Sequence, residues 1–576
     1  MFFLLACTPP GSAGPDTAVE GPGFVMAELD PPFEHSRAIW AGVALLDIDD
    51  DGWLDIYFTN GLHHADALYL NLGDGRFEDV AAEVGLNSLA QHGGARAADI
   101  DNDGDTDLVV TVECSSGTLD QGQPIADGAV VIYENQGGTF TERPVAAVSE
   151  RCPVSVDVVD LDNDGWLDLI VGNGIDPDWL YPWVLAKEAP SAIDSLLLND
   201  GTGDFVQGWG LEIVSESEMP EILEVVTFTS AWFDIDGDGA IDRIAGLSAE
   251  PPGVHMNTGS SLLQDNERMR SESGLWMGIA PADYDGDGDV DLYMTNEGLS
   301  PFLAGYNNIP YGVPLDEIEP SHDLFLFDEG VFAPSGWALV ANQPLGGDGF
   351  QGLETPEGLL FEHWADPQDF QRQPWSWAAV ALDANADGLP DVAFTSNNCT
   401  APMVVVWNEA HAAGPGSLLI NQGDSLRDDT WALGLENIDG LGRYQDGRGL
   451  AVGDLDNDGY ADLVYANRTY NPSQSDPTAQ VPGTPRVMLN RSTDANWLQI
   501  ELEGSRSNRD AIGAMVWVDG VAWPVGAGGA TNSSSQVMLT VGLGERESAD
   551  LVIRFPSGRL ITMTDVSANQ RLLVHE

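Results

Sequence analysis

The chain has 576 residues, enough for two to four domains or one large repeat domain with an appendage. Its 93 Asp+Glu against 22 Lys+Arg leave a net charge of −71, a field that opposes nucleic acid and anionic membrane surfaces and excludes both as direct partners. A hydrophobic content of 43% is too high for a disordered chain, and a single lysine, Lys187, leaves little room for Schiff-base or lysine-cradled phosphate chemistry.

At the start, Met1-Phe2-Phe3-Leu4-Leu5-Ala6-Cys7, followed by Pro, Gly, Ser, Ala and Thr to Val19, resembles the end of a bacterial lipoprotein signal with lipid on Cys7. Residues 1–21 then read as that signal end and a flexible tether. A chance apolar end is the other reading, since no Lys or Arg precedes the stretch. No apolar run approaches the roughly 18 residues of a membrane-spanning helix, so the membrane enters only through a lipid on Cys7.

From residue 47 onward a nine-residue string recurs seven times, with oxygen ligands at places one, three, five and nine and Gly at place six. The ligand sets are Asp47, Asp49, Asp51 and Asp55; Asp99, Asp101, Asp103 and Asp107; Asp160, Asp162, Asp164 and Asp168; and Asp234, Asp236, Asp238 and Asp242. Three more follow: Asp283, Asp285, Asp287 and Asp291; Asp383, Asn385, Asp387 and Asp391; and Asp454, Asp456, Asp458 and Asp462. Hard cations take six to eight oxygens at roughly 2.3–2.6 Å, and alternating acids on a tight loop point several inward. The first five places match an EF-hand loop, but the closing acid comes at nine and the flanks, such as Val43-Ala44-Leu45-Leu46 and Ile56-Tyr57-Phe58, are strand-forming. The sequence therefore predicts up to seven Ca²⁺ ions, on loops entered and left by strands.

First ligands are spaced by 52, 61, 74, 49, 100 and 71 residues, each interval long enough for four short strands. Second signatures lie between them: Leu68-Tyr69-Leu70-Asn71 with the turn Gly73-Asp74-Gly75, Val131-Ile132-Tyr133-Glu134-Asn135, Leu196-Leu197-Leu198-Asn199, and a looser copy at Leu324-Phe325-Leu326-Phe327. Four strands per repeat predict a seven-bladed β-propeller over residues 22–493. The last repeat stops at its third strand, Arg486-Val487-Met488-Leu489-Asn490, and the spare strand Gly23-Phe24-Val25-Met26-Ala27-Glu28 is placed to close the ring.

Residues 494–576 read as a small, separate all-β domain, with strands at Leu498-Gln499-Ile500-Glu501-Leu502 and Leu551-Val552-Ile553-Arg554-Phe555. Ser507-Asn508-Arg509-Asp510 within it reads as a turn more than a site. The fold class is thus all-β throughout.

The nine-residue strings resemble the FG-GAP/VCBS repeats of integrin α-chain propellers, whose matching loops hold calcium. Asn496-Trp497-Leu498, the run Gly504-Ser505-Arg506-Ser507-Asn508-Arg509-Asp510-Ala511-Ile512-Gly513-Ala514, Gly542-Leu543-Gly544 and Phe555-Pro556-Ser557-Gly558 resemble the ASPIC/UnbV domain. This domain order is that of the cartilage acidic protein family and its bacterial relatives, although Phe555 stands where that motif more often has Trp.

Signatures of catalysis are sparse: HExxH, GxSxG and Walker loops are missing, and the GxGxxG at 347–352 lacks a strand-then-helix context. His63, His64 and His92 read as loop or packing residues rather than bases. Cys114, Cys152 and Cys399 allow one disulfide, Cys114 and Cys152 being nearest in sequence, or are simply small buried residues. Strand alternation puts the long segments 113–129, 172–194, 296–322, 337–376, 397–416 and 466–484 at the end opposite the calcium loops. They carry Trp179, Tyr181, Trp183, Tyr306, Tyr311, Trp337, Trp364, Trp375, Trp407 and Tyr470, a mix suited to gripping a protein or glycan near the central channel, or to packing the loops themselves.

The expectation is a calcium-stabilised, extracytoplasmic binding or adhesion protein without chemistry of its own: a bacterial outer-membrane or cell-surface lipoprotein, or secreted. A carbohydrate-active lyase or hydrolase on the same scaffold, and an assembly component, are the alternatives.

Overall fold

The computed structural model describes residues 23–36, 40–61, 63–113, 129–145, 152–174, 194–208, 226–250, 252–264, 274–296, 324–327, 338–341, 375–397, 416–423, 426–430, 432–439, 441, 443, 445–470, 480–491 and 495–576. Among these residues the regular structure is all β.

Short apolar runs split by acidic turns give antiparallel four-stranded sheets, the first built from Val43–Leu46, Asp55–Phe58, Ala67–Asn71 and Arg76–Asp79. Among the described residues seven such sheets are found. Their first strands, Val43–Leu46, His92–Ala98, Cys152–Val159, Thr227–Phe233, Gly274–Ala282, Trp375–Leu382 and Asp446–Gly453, each touch the next, and the last touches the first, so the sheets form a propeller-like ring. The spare strand closes it: Phe24–Asp30 runs antiparallel to Arg486–Asn490, with Phe24 opposite Asn490 and Ala27 opposite Val487. Hydroxyls staple neighbouring sheets, Thr59 Oγ1 donating to the Gly93 carbonyl at 3.0 Å and Thr395 Oγ1 to the Arg448 carbonyl at 2.9 Å.

The C-terminal part has its own core around Leu498, Ile500, Val516, Leu551, Ile553 and Phe555. In one of its sheets, Asn496–Glu503 lies between Leu539–Gly544 and Gln570–His575; in the other, the order is Val521–Pro524, Met515–Val518, Ser548–Arg554, Leu560–Ser567. With its own core and sheets it is nonetheless docked on the ring. Residues 526–538 enter the middle of the ring. Ala527 accepts from Trp232 N–H at 2.8 Å, Gly529 from Ile279 at 2.9 Å and Asn532 from Ala95 at 3.3 Å. Ser534 donates to Val43 at 2.8 Å and Gln536 to Val452 at 3.0 Å. These bonds engage five sheets, and Ala530 packs with Ala378 and Val380 of a sixth.

The composition of this insertion explains how it fits: Gly, Ala, Ser and Thr keep it thin, and its polar backbone is satisfied by the inner strands. Gly529 has a φ of 93°, and a Cβ there would lie 1.9 Å from the Ile279 carbonyl oxygen. Gly529→Val therefore adds a left-handed strain and a backbone clash, together at least about 2 kcal/mol. The variant is expected to melt earlier and to expose the 526–538 segment to limited proteolysis.

Candidate metal centres

Each acidic loop is shaped by its own carboxylates. In the first, Asp47 Oδ2 accepts the Gly52 N–H at 2.8 Å and Asp47 Oδ1 that of Asp51 at 3.2 Å, wrapping the backbone round the first acid. The sixth-place glycines sit at φ between 88° and 105°, conformations that L side chains rarely adopt.

The ninth acid is the anchor. Asp55 Oδ2 accepts Ile48 N–H at 3.0 Å, and Asp55 Oδ1 accepts Asn71 N–H at 2.7 Å. The Asn71 amide then donates to Leu54 O at 3.0 Å and to Leu455 O, in the preceding sheet's loop, at 2.7 Å. The same arrangement joins Asp107 to Asn135, Asp168 to Asn199, Asp242 to Asn257, Asp391 to Asn421 and Asp462 to Asn490. Sequence reasoning quoted several of these asparagines as strand markers but missed their role. Their recurrence at the end of the third strand was the available signal.

The structure brings together places one, three and nine. Asp47, Asp49 and Asp55 each offer an oxygen within 4.8 Å of the others, as do Asp99, Asp101 and Asp107; Asp160, Asp162 and Asp168; Asp234, Asp236 and Asp242; and Asp283, Asp285 and Asp291. An all-oxygen donor set of this span fits a hard divalent cation. The fifth acids Asp51, Asp103, Asp164, Asp238 and Asp287 each accept the N–H two residues on through Oδ1, at 2.8–3.1 Å. In the sixth loop the Asn385 amide donates to Asp387 at 2.9 Å. In the seventh, Arg491 pairs with Asp456 and lies 3.3 Å from Asp458, bringing a positive charge to two ligand places.

Burial, reinforced by neighbouring carboxylates, raises these acids. Desolvation first, then Asp47 and Asp49, push Asp55 to about 8 against the bonds from Asn71 and Ile48. Asp107 and Asp168 also rise to about 8 and Asp160 to about 7, with desolvation leading in each. A bound divalent cation opposes that shift.

The C-terminal domain lies across these loops. Ala522 N–H donates to Asp283 Oδ2 at 2.9 Å, Gly542 N–H to Asp383 Oδ2 at 2.8 Å and the Gln499 amide to Asp454 Oδ2 at 2.6 Å. Arg554 sits 3.2 Å from Asp234 and Arg509 3.5 Å from Asp99, while Asp510 accepts Asp99 N–H at 2.9 Å. Asn508 does make the predicted turn, bonding both N–H and C=O of Ile512. Arg509 and Asp510 belong instead to the docking surface.

Of the other residues singled out, His92 is buried and paired with Asp66, whereas His63 and His64 are exposed. Tyr470 is 7% exposed and pairs through its backbone with Val481, so it packs its own segment rather than facing a ligand. Cys152 and Trp375 begin strands, at Cys152–Val159 and Trp375–Leu382. Cys7, Cys114, Cys399, the 347–352 string and the aromatics Trp179, Tyr181, Trp183, Tyr306, Tyr311, Trp337, Trp364 and Trp407 lie outside the described residues.

FG-GAP-like repeat models match residues 47–110, 124–171 and 234–294, an FG-GAP repeat model matches 447–480, and an ASPIC and UnbV model matches 504–576. Cartilage acidic protein 1 of Xenopus tropicalis is 24% identical over 249 residues, which are 42% of this chain; the chain spans about a third (32%) of that relative's length. Among solved structures, a fungal alcohol oxidase of the AA5 family in complex with copper aligns at TM-score 0.45 and 9% identity, covering 95% of this chain and 99% of that one. An Agrocybe aegerita lectin recognising non-reducing terminal N-acetylglucosamine aligns at 0.39 and 13%, covering 82% and 95%.

The raised acids set a direction for pH. In the metal-free protein a folded pKa near 8 for Asp55, Asp107 and Asp168 stabilises the fold below the ordinary carboxylate range, and that stability is lost as pH rises towards 8. In EDTA the melting temperature should therefore fall between pH 5 and pH 8. Millimolar calcium should abolish the fall, a contrast read directly by scanning calorimetry.

Proposed function

We propose that this chain, an FG-GAP-repeat protein with a C-terminal ASPIC and UnbV domain, is a calcium-stabilised binding protein that acts outside the cytoplasm and engages a protein or glycan without chemistry of its own. The observation that carries this reading is the commitment of one end of the ring. The acidic loops there are covered by the C-terminal domain, and the middle of the ring is filled by residues 526–538. That leaves the opposite end for a ligand.

At that opposite end the described strands stop and restart around long stretches of sequence. Asp107–Val112 ends before the segment that returns at Ala129–Asn135, and Asp168–Gly174 before the one that returns at Ser195–Asn199. Long connections on a rigid scaffold are where recognition concentrates. The expected site near the central channel moves outward to this rim in our reading, because the insertion occupies the channel. Calcium suits the oxygen-only clusters, and its millimolar abundance outside cells suits the ~10⁻⁴–10⁻³ M affinities of extracellular modules. The lipid on Cys7 and the cell-surface location belong to the same proposal.

The experiment is a glycan array and a polysaccharide-degradation assay on the purified chain. We expect binding without release of reducing or unsaturated ends; turnover of any polysaccharide would favour the enzyme instead. Replacing residues 175–193 by a short Gly-Ser turn should abolish binding and keep the calcium-dependent melt.

A further inference from the structure

The C-terminal domain holds a second constellation, away from the acidic loops. Three successive backbone N–H groups, of Ser505, Arg506 and Ser507, converge on Glu576 Oε2 at 2.7, 2.6 and 3.0 Å. Ser507 Oγ donates to Oε1 at 3.1 Å, and the Ser557 hydroxyl donates to the same oxygen. Five donors thus face one carboxylate, the arrangement of a backbone anion nest. Opposed by partial burial, the Ser557 hydroxyl and the N–H groups of Arg506, Ser505 and Ser507 hold the Glu576 carboxyl down at about 2.

The nest is built without its occupant. Gly504 N–H donates to Arg509 O at 2.9 Å, Ala511 N–H to Asn508 O at 2.9 Å, and the Asn508 side chain bonds Ile512 N–H and C=O at 2.8 and 2.9 Å. Ser557 is brought in by its N–H, which donates to Ser507 Oγ at 3.1 Å. Ser507 is 5% exposed and Asn508 fully buried, so the floor is rigid, whereas the Glu576 side chain is only half-buried. Arg506 and Arg559 are exposed nearby, and neither has an ion-pair partner among the described residues. In a chain with 22 basic residues against 93 acidic ones, two exposed arginines whose backbone N–H groups bond Glu576 and Ser557 at the nest favour an anion there.

We infer that residues 505–507 with Ser557 form a binding site for a carboxylate-bearing ligand, and that Glu576 is its built-in, displaceable occupant. A carboxylate is favoured over a tetrahedral oxyanion by the donor pattern: three N–H groups serve one oxygen and two hydroxyls the other, in a set complete for two oxygens.

Hydrogen exchange of the full chain, read by mass spectrometry on the 503–509 peptide, tests this. Glu576→Gln should speed exchange at 505–507 about tenfold, the loss of roughly one charge-assisted hydrogen bond's net worth. Millimolar acetate, glucuronate or a glutamyl tripeptide should restore protection in the variant and change nothing in the parent. Which of the three acts best identifies the source of the carboxylate. Sodium chloride at equal ionic strength should not restore it. Failure of every carboxylate, with the 539–544 peptide still protected, would leave Glu576 as a structural clasp and overturn the inference. Restoration by sulfate as strong as by carboxylates would overturn the carboxylate assignment. Should Glu576→Gln unfold the domain, Ser557→Ala removes one exposed hydroxyl; several-fold faster exchange that glucuronate reverses supports the site, and exchange indifferent to glucuronate overturns it.

Discussion

A carboxylate with both oxygens held by backbone N–H groups organises the ring. Asp55 ties the second residue of its own loop to the last residue of its third strand, and the Asn71 side chain carries the tie to the preceding sheet. Local turn, sheet edge and inter-sheet contact are therefore one hydrogen-bonded unit. Among the described residues the unit recurs in six of the seven sheets and ties each to the sheet before it, within a ring whose first strands touch one another all the way round. The cost is buried negative charge, visible in the raised Asp55, Asp107 and Asp168, and a divalent cation among places one, three and nine is the economical remedy.

What was legible in the sequence follows from the range of the interactions involved. The acidic loops are local, so their spacing alone identified them. Ring closure was legible too, because strand counting exposed a spare strand over residues 23–28 and a sheet lacking its fourth strand, and Phe24–Ala27 does pair with Val487–Asn490. The insertion at 526–538 was not. Gly528, Gly529, Ser533, Ser534 and Ser535 read as an ordinary loop, and nothing local says that such a loop will be threaded through a ring whose closing strand ends at Asn490. The small size of every side chain from Gly526 to Ser535, Asn532 and Thr531 included, was a steric clue that becomes meaningful only once a narrow channel is known to exist. Tyr470 shows the converse: the sequence left it between gripping a ligand and packing its own segment, because an aromatic residue in a long segment says nothing about which side of the segment it packs against.

The docking of the C-terminal domain changes how the metal loops are to be understood. Ala522, Gly542 and Gln499 bond the outer oxygens of Asp283, Asp383 and Asp454, the same oxygens that accept the sixth-place glycine N–H groups. The domain thus rests on loop geometry that the first acids maintain. A metal in the loops and the domain on them would share those carboxylates, and by linkage each would bias the other.

Arginine placement sharpens the contrast between the two ways of neutralising a buried acid. Several carboxylates buried outside the loops receive a guanidinium, Arg96 to Asp157 at 3.0 Å, Arg243 to Asp194 at 2.6 Å, and Arg448 and Arg468 to Asp446 at 3.1 and 2.6 Å, whereas Asp66 is met by His92 and Glu113 by Gln91. In the acidic loops the same remedy reaches Asp99, Asp234 and the pair Asp456 and Asp458, through Arg509, Arg554 and Arg491. Among the described residues no guanidinium pairs with the three-acid clusters of the first, third and fifth loops. With 22 basic residues to distribute, leaving those clusters unpaired while pairing Asp157, Asp194 and Asp446 is a division of labour. Arginine balances Asp157, Asp194 and Asp446, and in the unpaired loop clusters a hard divalent cation would supply the missing positive charge.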